Sequence, residues 1–274
     1  MEIEILVCTL GEGIRRVPEV LMPPMDGLGY LISWQTGATP ITGEAATQDI
    51  PEELRHRPDV RVVQLPGTGL SRNRNHALTH ARGEWLVIAD DDCRYTPQHI
   101  RNLQEARSRH PEADILLMQA HDYNGNFLHP YPPEPYEYKH RPRGSFVSSW
   151  EMSMRRTAPL PRFDERFGLG AWLGCGEEEV FVHQASRRGL TVCYEPLSMV
   201  VTAAGTTGTK FAVSPAVQRA KGGVLCIIHG PIGAMLRGLK FIGFTPGLSI
   251  RQRCSAGLEV MKGIIYVLTH HPLP

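Results

Sequence analysis

"SRNRNHALTHARGEWLVIADDDCRYTPQHI", residues 71–100, decides the fold class. Its first part, 71–83, carries Ala and Leu at helical spacing behind Ser71 as N-cap and closes on Gly83, the start and stop signals of a helix. "WLVIA", 85–89, is apolar without alternation, as in a strand buried on both faces. Asp90, Asp91 and Asp92 follow without a break. Thr96 then stands before Pro97, a cap with proline at the first helical position, and a second helix is expected over 96–110. Helix, buried strand and helix in this order are the units of an α/β sheet.

Outward from this stretch the alternation continues. Strands are expected at 2–10, 28–35, 60–66 and 113–123. "NGNFLHPYPPEPYEYKHRPRGS", 124–145, is rich in Pro and Tyr and reads as a loop, long enough to suggest a functional one. A strand over 146–156, a helix over 177–189 and a closing strand over 191–196 follow. The expected fold is α/β: a mostly parallel sheet with flanking helices, plus an amphipathic helical C-terminal segment.

The chain has 274 residues and a formal charge of +1, which argues against a nucleic-acid partner. The charge is unevenly spread. Residues 205–274 hold eight Lys/Arg and one acid, Glu259, leaving residues 1–204 at net −6. The six cysteines are scattered with no metal-ligand spacing, as expected of reduced thiols. "MEIEILVCTL" is acidic and strand-like, unlike a signal peptide. No uninterrupted apolar run reaches the roughly 18–20 residues of a spanning helix. The best candidate, "GGVLCIIHGPIGAMLRGLKFIGF", is broken by His229, Pro231, Arg237 and Lys240.

Open parallel sheets bind ligands outside the carboxyl ends of their strands. Thr9 stands there after the first strand, Gln35 after the second and Asp90–Asp92 after the fourth. Clustered carboxylates are hard oxygen ligands that suit Mg²⁺ or Mn²⁺ beside phosphate. The plainer reading is a solvated acidic turn.

"GTGLSRNRNHAL…ARGEWLVIADDDCRYTPQHI" resembles the nucleotide-sugar half of family-2 glycosyltransferases, the inverting enzymes of the glycosyltransferase-A fold. "SSWEMSMRR…PRFDERFG…GCGEEEVFVHQASRRG" is similar to that family's acceptor half. The resemblance implies a catalytic domain over 1–204, with a nucleotide-sugar half at about 1–123 and an acceptor half at about 124–204, followed by a basic segment at 205–274.

It also implies roles for single residues. Asp91 and Asp92 fall on the pair that contacts ribose and holds the metal, Mn²⁺ or Mg²⁺, with Asp92 the favoured ligand and Asp90 the other end of an Asp-x-Asp. Glu178 falls on the general base and Glu177 on the acid before it. Thr9 falls where the base is gripped. Arg72 and Arg74 would approach the diphosphate, unless they are solvated helix-surface cations.

The chain departs from the family pattern in places. Gln35 stands where the family often has an acid for uracil. The acid pair is Glu-Glu instead of Glu-Asp. No His occurs in "VVTAAGTTGTKF".

The implied activity is an inverting, metal-dependent hexosyltransferase. It would move a sugar from a nucleotide-diphosphate donor, a UDP-sugar above others, to a glycan or lipid-linked oligosaccharide in capsule, O-antigen or other surface-polysaccharide synthesis. Such an enzyme is expected in the cytoplasm. The basic C-terminal segment either contacts the inner membrane face peripherally or packs on the domain. Glu177–Glu179 also suit any helix N-terminus by the macrodipole. Trp150 and Trp172 suit a sugar face or the core equally. Two other classes stay open: a nucleotidyltransferase, for which "TLGEGIRR" (9–16) would supply a glycine-rich loop with arginines, and a non-catalytic sugar- or nucleotide-binding module.

Overall fold

A computed structural model describes residues 1–37, 49–203, 205 and 207–271. The chain forms two compact units: one of residues 1–68, 72–161 and 184–204, the other of 69–71, 162–183 and 205–274. The boundary expected at 204/205 falls at Ala204, outside the described residues.

The first unit is built on an eight-stranded sheet. In chain order its strands are β1 (Ile3–Leu10), β2 (Leu28–Gln35), β3 (Val60–Leu65), β4 (Trp85–Asp90), β5 (Ile115–His121), β6 (Tyr136–Glu137), β7 (Met152–Arg155) and β8 (Val192–Val201). They lie side by side as β3-β2-β1-β4-β7-β5-β8-β6. The pairs β3–β2, β2–β1, β1–β4 and β5–β8 are parallel. β7 enters antiparallel between β4 and β5, and β6 pairs antiparallel with β8. The sheet is therefore mixed and mostly parallel, as the apolar strands suggested.

The α-helices among the described residues are α1 (Glu52–Arg55), α2 (Leu70–His80), α3 (Pro97–Arg109), α4 (Glu177–Arg187), α5 (Pro215–Phe244) and α6 (Ile250–Thr269). α3 buries Ile100, Leu103 and Ala106 in the core that holds Trp85, Val87, Leu116 and Met199, a stripe of residues one helical turn apart. Its start is the expected one: Thr96 caps, Pro97 follows, and His99 completes a capping box.

Four local expectations change. Ser71 is not a cap but lies inside α2, and its hydroxyl donates to the Phe167 carbonyl at 2.6 Å. The strand expected from 146 starts only at Met152, because Ser148 and Glu151 form a capping box around a tight turn. The closing strand runs on past Pro196 to Val201. Its pairing with β5 is irregular there, so the proline sits where no ladder bond is lost. The 124–145 loop contains β6 and is tied down by Tyr131, which donates to the buried Glu151 at 2.6 Å, and by His129, 2.8 Å from the same oxygen.

The second unit contains α5 and α6, packed closely enough that a side chain at Gly222 or Gly263 would meet the carbonyl of Val260 or Arg219 at 2.0 or 1.9 Å. His229, Pro231, Arg237 and Lys240, which interrupt the apolar run, all lie within α5. Gly230 adopts φ 71°, ψ 172°, and Pro231 restarts the helix after this kink. By length and composition α5 is long and apolar enough to cross a membrane.

All six cysteines are free.

Candidate active site

The parallel register brings three of the expected positions to one edge. Cys8 of β1 pairs with Asp90 of β4, and Leu10 pairs with Gln35. Thr9, Gln35 and Asp90 thus end their strands together at the carboxyl edge of the sheet, where an α/β sheet presents its ligand crevice.

The three carboxylates do not simply face water. Asp90 accepts from Arg74 Nη2 at 3.2 Å, and the same nitrogen donates to Ser149 Oγ at 2.7 Å. Arg74 is only 1% exposed; this excludes the solvated reading for it, because a buried guanidinium requires a paired carboxylate. Asp91 accepts from Arg16 Nη2 at 2.6 Å and Nε at 3.2 Å through one oxygen, and from the Thr9 hydroxyl at 2.5 Å through the other. The Asp91 hydrogen bond holds the Arg16 guanidinium above its ordinary pKa. Asp92 accepts from Thr202 Oγ1 at 3.2 Å, and its backbone carbonyl accepts from Tyr123.

Gly13 makes the Asp91 arrangement possible. A Cβ there would lie 2.2 Å from Asp91 Oδ2 and 2.4 Å from Thr9 Oγ1.

Whether these groups suit a divalent cation turns on the free oxygens. Both Asp91 oxygens are engaged by protein donors. Asp92 is half-buried, and its second oxygen has no partner among the described residues. One such carboxylate, completed by phosphate oxygens and water, is the usual setting for Mg²⁺ or Mn²⁺. Asp92 therefore fits the ligand role.

Beneath the edge, Asn73 staples β1 to β2. Its amide donates to the Thr9 carbonyl at 3.1 Å and the Ser33 carbonyl at 3.0 Å, and accepts from Ser33 Oγ at 2.6 Å. Gln35 is 2% exposed, and its amide nitrogen has no acceptor among the described residues. A buried N–H without a partner is costly, so this donor is available to a ligand carbonyl. Arg72 is exposed, its guanidinium lying against Gly67.

The second unit holds the other expected residues. Glu177, Glu178 and Glu179 open α4. Glu177 is buried and its carboxylate lies beside Gly168, whereas Glu178 and Glu179 are half-buried. "GCG" before them forms a packed turn. Gly176 has φ +87°, and a Cβ on it would meet Val224 of α5 at 2.6 Å, so the turn is set by close packing. Burial, with the charges of Glu178 and Glu177 adding to it, pushes the Cys175 thiol up to about 12. In "PRFDERFG", Asp164 grips Arg166 at 2.6 Å, and Arg166 donates to the Val267 and His270 carbonyls at the end of α6, the favoured end for a cation. Trp172 is 40% exposed and lies tilted against Tyr266 with ring centroids 4.4 Å apart, while Trp150 packs against the sheet core.

Residues 42–161 match a family described as glycosyl transferase family 2. Over this stretch the chain is similar to family-2 glycosyltransferases. Solved structures share the fold. The crystal structure of S. aureus TarS 1-349 has a TM-score of 0.63 at 15% identity, over 98% of this chain and 81% of that one. TarS 1-349 in complex with UDP-GlcNAc gives 0.60 at 16%, over 97% and 81%. The longer S. aureus TarS chain is 47% covered, with a TM-score of 0.59. No curated protein matches the chain in sequence.

The sequence alone did not reveal several neighbours of the carboxylates. Ser149, Thr202 and Asn73 carried no motif of their own. Arg16 was visible only as part of a glycine-rich stretch, and its partner lies 75 positions away. Arg72 and Gln35 lie where the sequence placed them, at the start of α2 and the end of β2.

Proposed function

We propose that this glycosyltransferase is an inverting, metal-dependent enzyme that takes a sugar from a nucleotide diphosphate, a UDP-sugar by preference. The observation that carries the reading is the carboxyl-edge cluster. Asp92 keeps one carboxylate oxygen open, Asp91 is aligned by Arg16 and Thr9, and Gln35 holds an unused donor beside them. Asp92 would hold Mn²⁺ or Mg²⁺, which when bound neutralises charge on a diphosphate leaving group. Asp91 contacts ribose. Thr9 and Gln35 face the base, and Gln35 donates to a base carbonyl such as those of uracil. S. aureus TarS 1-349 has been solved in complex with UDP and with UDP-GlcNAc, which supports this donor class.

Glu178 is the proposed base that takes the acceptor hydroxyl proton. Its half-exposed carboxylate suits that role better than the buried Glu177. Arg16 is already bound to Asp91, which weighs against the nucleotidyltransferase alternative. The proposed catalytic domain is residues 1–204, and the proposed acceptor is a glycan or lipid-linked oligosaccharide of a surface polysaccharide. Exposed Ile232, Leu236, Leu239 and Phe244 on α5, with Arg237 and Lys240 among them, support peripheral contact of a cytoplasmic enzyme with an anionic membrane face.

The test is thermal unfolding against a panel of nucleotide sugars with and without Mn²⁺. Stabilisation by UDP-sugars that grows with Mn²⁺ and is lost in Asp92→Ala is expected. Absence of any nucleotide-dependent shift overturns the reading.

A further inference from the structure

At the amino ends of β5 and β8, the sheet edge opposite the aspartates, four groups converge. His110 follows α3, Glu112 precedes β5, and Cys193 and Glu195 lie on β8. His110 Nδ1 stands 3.6 Å from Glu112 Oε1, and Cys193 Sγ stands 3.8 Å from the same oxygen. Ligand atoms of His110, Glu112 and Cys193 all lie within 4.8 Å of one another. A tetrahedral zinc with ordinary bond lengths holds its N, O and S ligands roughly 3.3–3.5 Å apart. The His110–Glu112 and Cys193–Glu112 separations are a few tenths of an ångström wider.

The other face of the imidazole supplies a second, independent sign. His110 Nε2 is 2.9 Å from Glu195 Oε2. Glu195 is 2% exposed, and its other oxygen accepts from Arg109. A carboxylate behind the far nitrogen of a histidine fixes its tautomer and leaves the near nitrogen as a lone-pair donor, the usual support of a metal-binding imidazole. The cluster opens onto a cavity of about 420 Å³ that Tyr136, Glu137 and Lys139 also line. That leaves a fourth coordination position for water.

We propose that His110, Glu112 and Cys193 form a site for a borderline divalent ion of the zinc class, separate from the diphosphate-linked cation. The donor set is imidazole, thiolate and carboxylate, which suits zinc far better than Mg²⁺. On binding, the Cys193 S–H bond breaks, the sulfur bonds the metal, and the proton passes to solvent. One proton is thereby released per ion bound. The bound ion ties the end of α3 to the start of β8.

The test uses the whole chain carrying Cys254→Ser, which removes the exposed thiol. After treatment with chelator it is titrated with Co²⁺ and then Zn²⁺. One Co²⁺ per chain with a sulfur-to-metal charge-transfer band is expected, displaced by Zn²⁺ but not by excess Mg²⁺. Cys193→Ser should abolish the band. Glu112 is exposed, so Glu112→Gln keeps the fold and should weaken Zn²⁺ binding at least about tenfold; Glu195→Gln should weaken it about 10- to 100-fold. No charge-transfer band in the parent, a band that persists in Cys193→Ser, or unchanged Zn²⁺ affinity in Glu112→Gln overturns the proposal.

Discussion

Lowering the pH should unfasten the start of α3, and His99 sets the size of the effect. His99 is 8% exposed. Its Nδ1 accepts from the Thr96 backbone N–H at 3.2 Å, and its own N–H donates to Thr96 Oγ1 at 3.4 Å. A protonated ring cannot accept that first bond. Burial, helped by the nearby His121, lowers its pKa from 6.5 to about 4. Above pH 6.5 the ring is neutral whether the chain is folded or not, so it costs nothing. As pH falls below 6.5 the unfolded chain takes up a proton that the folded chain refuses, and stability drops until about pH 4. That interval corresponds to roughly 3 kcal/mol. Carboxylates titrate in the same window, so the measurement is a difference. Urea unfolding of the parent and of His99→Gln is followed from pH 7.5 to 4. Glutamine at this position can keep the capping box and does not titrate. The parent should lose roughly 3 kcal/mol more than the variant. Parallel pH profiles would refute the assignment of His99 as a buried neutral acceptor.

Three further outcomes test the carboxyl edge and the helix-start acid. Gly13→Ala places a Cβ 2.2 Å from Asp91 Oδ2; overpacking of this kind costs about 1–3 kcal/mol, measured by urea unfolding, and nucleotide affinity by calorimetry should fall with it. Arg74→Ala leaves Asp90 and Ser149 without their shared donor and should cost about 3 kcal/mol in the same unfolding assay. Arg74→Lys should recover only part, since an ammonium lacks the guanidinium's fork. Glu178→Gln should cut the transfer rate by about 10²–10⁴-fold while leaving donor affinity unchanged, read by turnover assay and calorimetry on one preparation.

The sheet was legible because its signal is local. Five apolar residues in "WLVIA" and a Thr-Pro helix start are read within one short window, and the structure places β4 and α3 there. The carboxyl-edge position of Thr9, Gln35 and Asp90 follows from parallel pairing alone. The partners of those residues were not legible, because the Arg16–Asp91 and Arg74–Ser149 contacts each close a loop of 75 positions. The same distance hid the cysteine cluster: Cys193 and Glu112 are 81 positions apart, so no motif spacing exists to find. The packing of Gly176 against Val224 was equally out of reach of a local reading. So was the kink at Gly230-Pro231, where the helix bends and continues.

The three aspartates after β4 answer to three different parts of the chain. Asp90 is held from α2 by Arg74, Asp91 from the turn after β1 by Arg16, and Asp92 from beyond β8 by Thr202. Each carboxylate therefore has its own adjuster. A change at position 16, 74 or 202 re-aims one oxygen pair while the other two stay anchored. A change within the triplet itself disturbs a strand end that all three depend on. If this edge binds the donor as proposed, its preference is best redesigned through the partners, one carboxylate at a time, with the acidic run left intact.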